Sequence, residues 1–348
     1  MDTAKLTEIV DAAVDQYTFS GVIDIRWQDT VIYARAVGYA DRSNKIANTL
    51  DTRFGIASGT KFFTALAIGK LIAAQKLAFS TRLQECTTLD LPHYSPEITI
   101  RHLLTHTSGI PDYYDEEKIT DFDNFTLSVP CYELRGPKDY LATFPDEEMK
   151  FAPGERFSYS NGGYILLGVV IEELTGMRYQ DFVDQTIFQA IGMHQSGYFA
   201  LNQLPEQTAQ GYIEGAEGWR TNIYNLPIVG ASDGGAFTTV RDLATLWTAF
   251  WRGEIVPQAL VEIYATPYVK AETEGEHTYY GHGLWIREGV GGTYVIYIMG
   301  GDAGVSFKSS VYRANDLQVT VISNTTDGAW PVLRAIDAAL QGLIVPVP

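Results

Sequence analysis

Apolar residues recur at two different periods along this chain, and each change of period marks the edge of an element. Leu6, Ile9, Val10, Ala13, Val14 and Tyr17 fall at i, i+3, i+4, i+7, i+8 and i+11, which predicts an amphipathic first helix with one polar face. The period then drops to two. Ile23, Ile25 and Trp27 alternate with Asp24 and Arg26, and Gln28-Asp29-Thr30 turns the chain into the apolar run 31–37. This pattern reads as an antiparallel hairpin. Near the other end, residues 293–299, 305–313 and 317–323 are strand-like runs separated by the glycine-rich stretch 300–304 and by Ala314-Asn315-Asp316, so a meander is expected. Pro331 opens a last predicted helix whose Val332, Leu333, Ile336, Leu340 and Leu343 share a face.

Between these ends, residues 62–77, 165–174 and 243–251 read as helices, the last opened by a capping box of Thr239 and Asp242. The expected fold class is therefore α+β: one antiparallel sheet built from both ends of the chain, flanked by N- and C-terminal helices, with a mostly helical region inserted. The division expected is 1–55 and 230–348 for the sheet region and 56–229 for the helical one.

Composition narrows the function classes. The chain has 348 residues, 46% hydrophobic and 12% aromatic, enough to bury a large core. Its 25 Lys plus Arg against 42 Asp plus Glu leave a net charge of −17, which repels phosphate backbones and anionic lipid. No nucleic-acid partner is expected. Cys86 and Cys131 stand outside any CxxC or Cys/His cluster of zinc spacing, so neither a structural metal nor a redox motif is expected. The N-terminus lacks the apolar core of a signal peptide, and no apolar run approaches the length of a membrane span. A cytoplasmic protein is expected, or an extracellular one if a leader has been trimmed.

Three short segments carry candidate chemistry. Ser58-Gly59-Thr60-Lys61 precedes an apolar helical run, and at i and i+3 its hydroxyl and amine share one face, so Lys61 can relay the proton of Ser58. Taken alone it reads first as an N-cap serine followed by a solvated lysine. Tyr159-Ser160-Asn161 lies just ahead of a helix, where a phenol can reach into a cleft or simply pack beside an Asn cap. Met299-Gly300-Gly301-Asp302 ends a strand in glycines, which permit either close approach of a substrate to the backbone or an ordinary turn.

Taken in order, these three segments resemble the SxxK, YxN and third-strand motifs of the serine β-lactamase and penicillin-binding-protein superfamily, in its class C β-lactamase-like branch. The resemblance extends to Phe54-Gly55-Ile56-Ala57, to Ile98-Thr99-Ile100-Arg101-His102-Leu103-Leu104-Thr105-His106-Thr107-Ser108-Gly109, to Gly234-Gly235 and to Tyr280-Gly281-His282-Gly283-Leu284-Trp285, covering roughly residues 20–325. It implies an antiparallel sheet and a helical lobe with the active site between them. It also implies Ser58 as nucleophile, Lys61 and Tyr159 as the proton-handling pair, and Asn161 as a ligand for the substrate carbonyl or amide. The oxyanion hole would use the backbone N–H groups of Ser58 and Asp302, after Gly300 and Gly301. No metal and no cofactor are implied.

One position departs from the pattern. Where family members carry Lys, His or Trp at the head of the third motif, this chain has Met299, which cannot pair with a substrate carboxylate. An ester, a D-amino-acid amide or a small peptide is therefore the expected substrate class, ahead of a dedicated β-lactamase role. The alternatives are a non-catalytic ligand-binding relative, for which Met299 is the supporting feature, and a true β-lactamase or D-Ala-D-Ala carboxypeptidase. A small-molecule or short-peptide partner is expected, and the oligomeric state stays open.

Three other features compete for attention. Gly230-Ala231-Ser232-Asp233-Gly234 matches the GxSxG elbow of α/β-hydrolases but runs into Gly235 where a helix is required. His102 and His106 have helical metal-site spacing without a HExxH glutamate. Residues 111–150 hold 11 acidic and 4 basic residues, a solvated acidic loop or, by the resemblance, an overhang that would attract a cationic substrate.

Overall fold

The computed structural model describes residues 2–271, 277–289 and 293–343, apart from the side chains of residues 342 and 343, so the expected place of Leu343 on its helix face lies outside the description. The predicted hairpin is present as strands Gly21–Trp27 and Thr30–Val37. Gln28 and Asp29 turn it at φ of 50° and 61°, the left-handed pair that a two-residue turn needs to match strand twist. Strand Gly21–Trp27 then pairs in full with Leu317–Ser323, from Gly21 opposite Ser323 to Trp27 opposite Leu317. That pairing closes the two ends of the chain into one sheet.

Among the described residues the sheet has eight antiparallel strands, ordered Thr30–Val37, Gly21–Trp27, Leu317–Ser323, Val305–Tyr312, Tyr294–Asp302, Trp285–Glu288, Thr278–Tyr280 and Val269–Lys270. Alternate residues serve opposite faces. Ile23, Ile25, Val319 and Val321 pack under helices Thr3–Gln16 and Ala329–Leu343 against Leu6, Val10, Val14, Val332, Ile336 and Leu340. Val22, Ile298, Phe307 and Ile322 pack on the other side with helices Lys61–Ala73, Asn161–Thr175 and Val240–Trp251. Each such side chain contributes about 1.5–3 kcal/mol of burial, so both helical layers are held by apolar contact.

Several boundaries differ from the sequence expectation. The strand expected to end at Met299 continues through Gly300 and Gly301 to Asp302, and only Ala303 and Gly304 turn the chain. The helix expected to reach residue 77 stops at Ala73, because Gln75 takes φ 57°. The last helix begins at Ala329, with Pro331 in its first turn, where a missing N–H costs nothing. Thr239 caps the N–H of Asp242 at 3.2 Å, but the Asp242 carboxylate accepts from Ser196 and the Gln195 N–H instead of closing the box. Residues 105–159 are mostly irregular, with 3₁₀ turns at Cys131–Glu133 and Pro137–Thr143. Among the described residues, no helix is long and apolar enough to cross a membrane.

Candidate active site

A two-stranded ladder of Phe54–Gly55 with Phe237–Thr238 delivers the chain into the 3₁₀ turn Ala57–Thr60, which runs directly into helix Lys61–Ala73. In a 3₁₀ turn residues i and i+3 eclipse one another, so Ser58 and Lys61 point the same way. The turn is pinned at Ala57, which sits at φ 43°. The Thr60 hydroxyl donates to the Ala57 carbonyl at 2.7 Å and accepts the Ala236 N–H at 2.9 Å. Lys61 is 2% exposed, which excludes the solvated-lysine reading. Its Nζ donates to Ser58 Oγ at 3.0 Å, to Asn161 Oδ1 at 2.7 Å and to the Asp233 carbonyl at 2.7 Å. Burial pulls the Lys61 pKa below its ordinary value, against the opposing pull of Asp233, Glu116, Asp112 and Asp302.

Asn161 is the first residue of its helix, and Asp112 occupies that N-terminus. The Asp112 carboxylate accepts from the N–H groups of Asn161 at 2.6 Å and Gly162 at 2.9 Å, while Ser160 Oγ accepts from Gly163 at 3.0 Å. Burial pushes Asp112 up to about 7, and those N–H bonds restrain the rise. Asn161 Nδ2 donates to the Tyr114 carbonyl at 3.0 Å and to Glu116 at 3.2 Å, which turns its Oδ1 toward Lys61.

The Tyr159 ring lies against His106, centroids 4.2 Å apart, and stacks on Trp285 at 6.0 Å, with Lys61 Nζ 4.8 Å from its centre. Burial, aided by the charge of Glu116, raises the phenol well above its usual pKa, and its hydrogen bond with Ser58 acts the other way. The phenol therefore keeps its proton near neutrality. His106 Nδ1 accepts the Ser160 N–H at 3.0 Å, and burial together with Lys61 holds the imidazole well below its ordinary pKa. A neutral ring thus wedges Tyr159 in place.

The third segment completes the cleft. A Cβ on Gly300 would stand 2.2 Å from the Ile56 carbonyl oxygen and 2.7 Å from the Ser58 nitrogen, so this strand runs flush against the backbone that carries Ser58. The Asp302 carboxylate accepts from Tyr114 Oη at 3.2 Å and from the Ala303 N–H at 2.8 Å, and burial pushes it up to about 7. Ser58 stands where two cavities meet. One, of about 1040 Å³ including its open mouth, is walled by Asn161, Asp302, Tyr113, Phe199, Leu226 and Phe237. The other, of about 750 Å³ with its open mouth included likewise, is walled by Tyr159, Trp285, Met299, Glu117 and Glu116, the last of which also lines the first.

The sequence matches the family described as Beta-lactamase over residues 6–344. The chain belongs to the Beta-lactamase family. A penicillin-binding protein from Bacillus halodurans is 43% identical, with a TM-score of 0.89, over 95% of this chain and 99% of that one. Penicillin-binding protein 4* of Bacillus subtilis is 27% identical over 99% of this chain and 77% of its own length. Esterase EstB of Burkholderia gladioli is 32% identical over 62% of this chain and 57% of its own length. This member of the Beta-lactamase family brings Ser58, Lys61, Tyr159, Asn161 and residues 299–302 to one cleft.

The competing motifs go elsewhere. Ser232 Oγ is buried without a hydrogen-bond partner, against Gly168, where an added Cβ would lie 2.2 Å from it. The segment's contribution is its neighbour Asp233, whose carbonyl holds Lys61 and whose carboxylate accepts the Tyr113 hydroxyl. Helix Ile100–Leu104 ends before His106, which sits at φ 56°, and His102 Nδ1 accepts the Thr99 N–H at 3.2 Å. The two imidazoles serve backbone donors rather than a common ligand. Asp112, Tyr114, Glu116 and Asp233 are site residues without a local sequence signal, beyond the acidity of the segment that carries the first three.

Proposed function

We propose that this protein is a serine hydrolase that forms an acyl-enzyme at Ser58 on an ester, a D-amino-acid amide or a small peptide. As the free amine, Lys61 takes the Ser58 proton while Oγ bonds to the substrate carbonyl carbon. It then holds Asn161 and the Asp233 carbonyl with its other two N–H bonds. The negative oxygen of the tetrahedral intermediate is stabilised by the N–H groups of Ser58 and Asp302. Tyr159 protonates the leaving oxygen or nitrogen as its bond to carbon breaks, and the Lys61 ammonium restores the phenol proton. Water then attacks the acyl ester through the same groups in reverse, returning Ser58 to its hydroxyl form.

The observation that carries this reading is the set of three hydrogen bonds around Lys61 Nζ, in which Ser58 alone supplies a proton that can travel back. Met299 in the second cavity gives a substrate carboxylate no charged partner, which supports neutral acyl donors over penicillins. The test is intact-protein mass after a fluorophosphonate probe, joined to kcat/KM for p-nitrophenyl esters, D- and L-amino-acid anilides and nitrocefin. One adduct at Ser58, absent from Ser58→Ala, is expected. No adduct and no turnover at any pH would replace the hydrolase by a ligand-binding relative.

A further inference from the structure

We infer that Asp112 is a positioning residue of this site: it closes a ring of hydrogen bonds that fixes which end of the Asn161 amide faces Lys61. The inference rests on the hydrolase reading above. The side-chain amide of Asn161 has two ends of nearly equal size and opposite character, an oxygen that accepts and a nitrogen that donates. Lys61 requires the oxygen. Once it has taken the Ser58 proton it can only donate, and a nitrogen of Asn161 in the place of Oδ1 would set donor against donor. Shape does not choose between the two ends, so the choice falls to polar neighbours.

Those neighbours form a closed ring of three bonds. The Asn161 N–H donates to Asp112 Oδ2 at 2.6 Å, the Tyr114 N–H donates to Asp112 Oδ1 at 3.3 Å, and the Tyr114 carbonyl accepts from Asn161 Nδ2 at 3.0 Å. With one oxygen Asp112 holds the backbone of Asn161. With the other it folds its own chain into a turn that aims the Tyr114 carbonyl at the Asn161 side chain. The Gly162 N–H also donates to Oδ1, at 2.9 Å. The second hydrogen of Nδ2 goes to Glu116 at 3.2 Å, so the nitrogen is fully spent and Oδ1 is left for Lys61 at 2.7 Å. Asp112 and Asn161 are 6% and 4% exposed, so little water is at hand to replace a lost member of the ring. Ser160 caps the same helix through Gly163 at 3.0 Å, and its hydroxyl takes no part in the ring.

Asp112→Asn keeps the size of the side chain but leaves one oxygen for N–H groups on both sides, so the ring opens whichever way the new amide lies. Fluorophosphonate labelling of Ser58 is expected to slow by about tenfold to a hundredfold, and Asn161→Ala to slow it by a similar factor. The double variant is expected to be no slower than Asn161→Ala alone, because Asp112 acts through Asn161. Ser160→Ala, which removes the other cap of the same helix, is expected to lower the melting temperature while labelling stays within about threefold of the wild type. Losses that multiply in the double variant overturn the inference, as they would if the charge of Asp112 acted on Lys61 directly. A wild-type rate in Asp112→Asn, or an equal slowing in Ser160→Ala, overturns it too. Nuclear magnetic resonance supplies a reading independent of catalysis. The Asn161 side-chain N–H signals, identified by their absence from Asn161→Ala, are expected to be protected from solvent exchange in the wild type and Ser160→Ala and to lose that protection in Asp112→Asn. If the wild type neither labels nor turns over an ester, the hydrolase reading falls, and protection retained in Asp112→Asn overturns the ring by itself. Should Asp112→Asn fail to fold, Asp112→Ser, with a single capping oxygen, takes its place in both measurements.

Discussion

Lys61 Nζ lies 3.0 Å from Ser58 Oγ, and Ser58 is the one of its three hydrogen-bond partners that carries a proton to give back. The Asn161 amide oxygen and the Asp233 carbonyl can only accept. When Lys61 loses a proton, its two remaining N–H bonds stay with those carbonyl oxygens and its lone pair faces the serine. Direction is thus built into the contact by the chemistry of the other two.

Ser58→Ala should abolish fluorophosphonate labelling and lower turnover by a factor on the order of 10³ or more. Ser232→Ala should keep turnover within about tenfold, since Ser232 Oγ is buried against Gly168 with no base beside it. Mass spectrometry and initial rates on one p-nitrophenyl ester check both. Reversed behaviour would move the nucleophile to the GxSxG segment.

The acylation rate should rise with pH to a plateau whose midpoint lies below the ordinary lysine value of 10.5, because burial disfavours the Lys61 ammonium and the active form is the amine. Asp112 and Asp302 gain charge around pH 7, which favours the ammonium and spreads the rise over a wider range. Tyr159→Phe should lower kcat by about 10² yet retain this rising limb, since the phenol's pKa is pushed up rather than down. Loss of the limb in that variant would make the phenolate the base.

Gly300→Ala should destabilise the fold by about 1–3 kcal/mol and slow labelling of Ser58, because the added methyl meets backbone atoms that cannot step aside. Gly301→Ala is the control. Its added methyl has the Trp330 ring at 3.3 Å as its nearest neighbour, so a loss under about 1 kcal/mol is expected. Thermal melts and labelling rates for the pair test whether that strand holds the Ser58 turn. Equal losses would deny it.

Met299→Lys should raise kcat/KM for nitrocefin relative to a neutral ester by about tenfold, by giving the substrate carboxylate a charge-assisted hydrogen bond. The neighbouring Glu116 and Glu117 compete for the new ammonium and limit the gain. An unchanged ratio would remove Met299 from the specificity argument.

Local geometry is written into the sequence as far as the type of each element, though not its ends: the helix from Lys61 stops at Ala73 and the strand from Tyr294 runs on to Asp302. The period-two strands, the helix stripe from Leu6 to Val14 and the three-residue step from Ser58 to Lys61 depend only on backbone repeat, which neighbours along the chain set by themselves. The three short motifs and their order were enough to indicate the family. Residues 300 and 301 were ambiguous for a physical reason: a missing Cβ permits either a turn or a close approach. At Gly300 only the position of Ile56 and Ser58 beside the strand decides for close approach, by the chain's own backbone, whereas an added Cβ on Gly301 would meet only the Trp330 ring.

What the tertiary structure decided is everything that depends on distance in space. Asp233 reaches Lys61 across 172 residues, Asn161 across 100, and Asp112 caps Asn161 across 49. No spacing rule encodes such contacts, because long-range partners are selected by how whole layers pack. Packing also set the proton affinities. Burial lowered that of Lys61 and raised those of Tyr159, Asp112 and Asp302, since removing water penalises whichever form is charged, and the sequence alone does not say where water is removed.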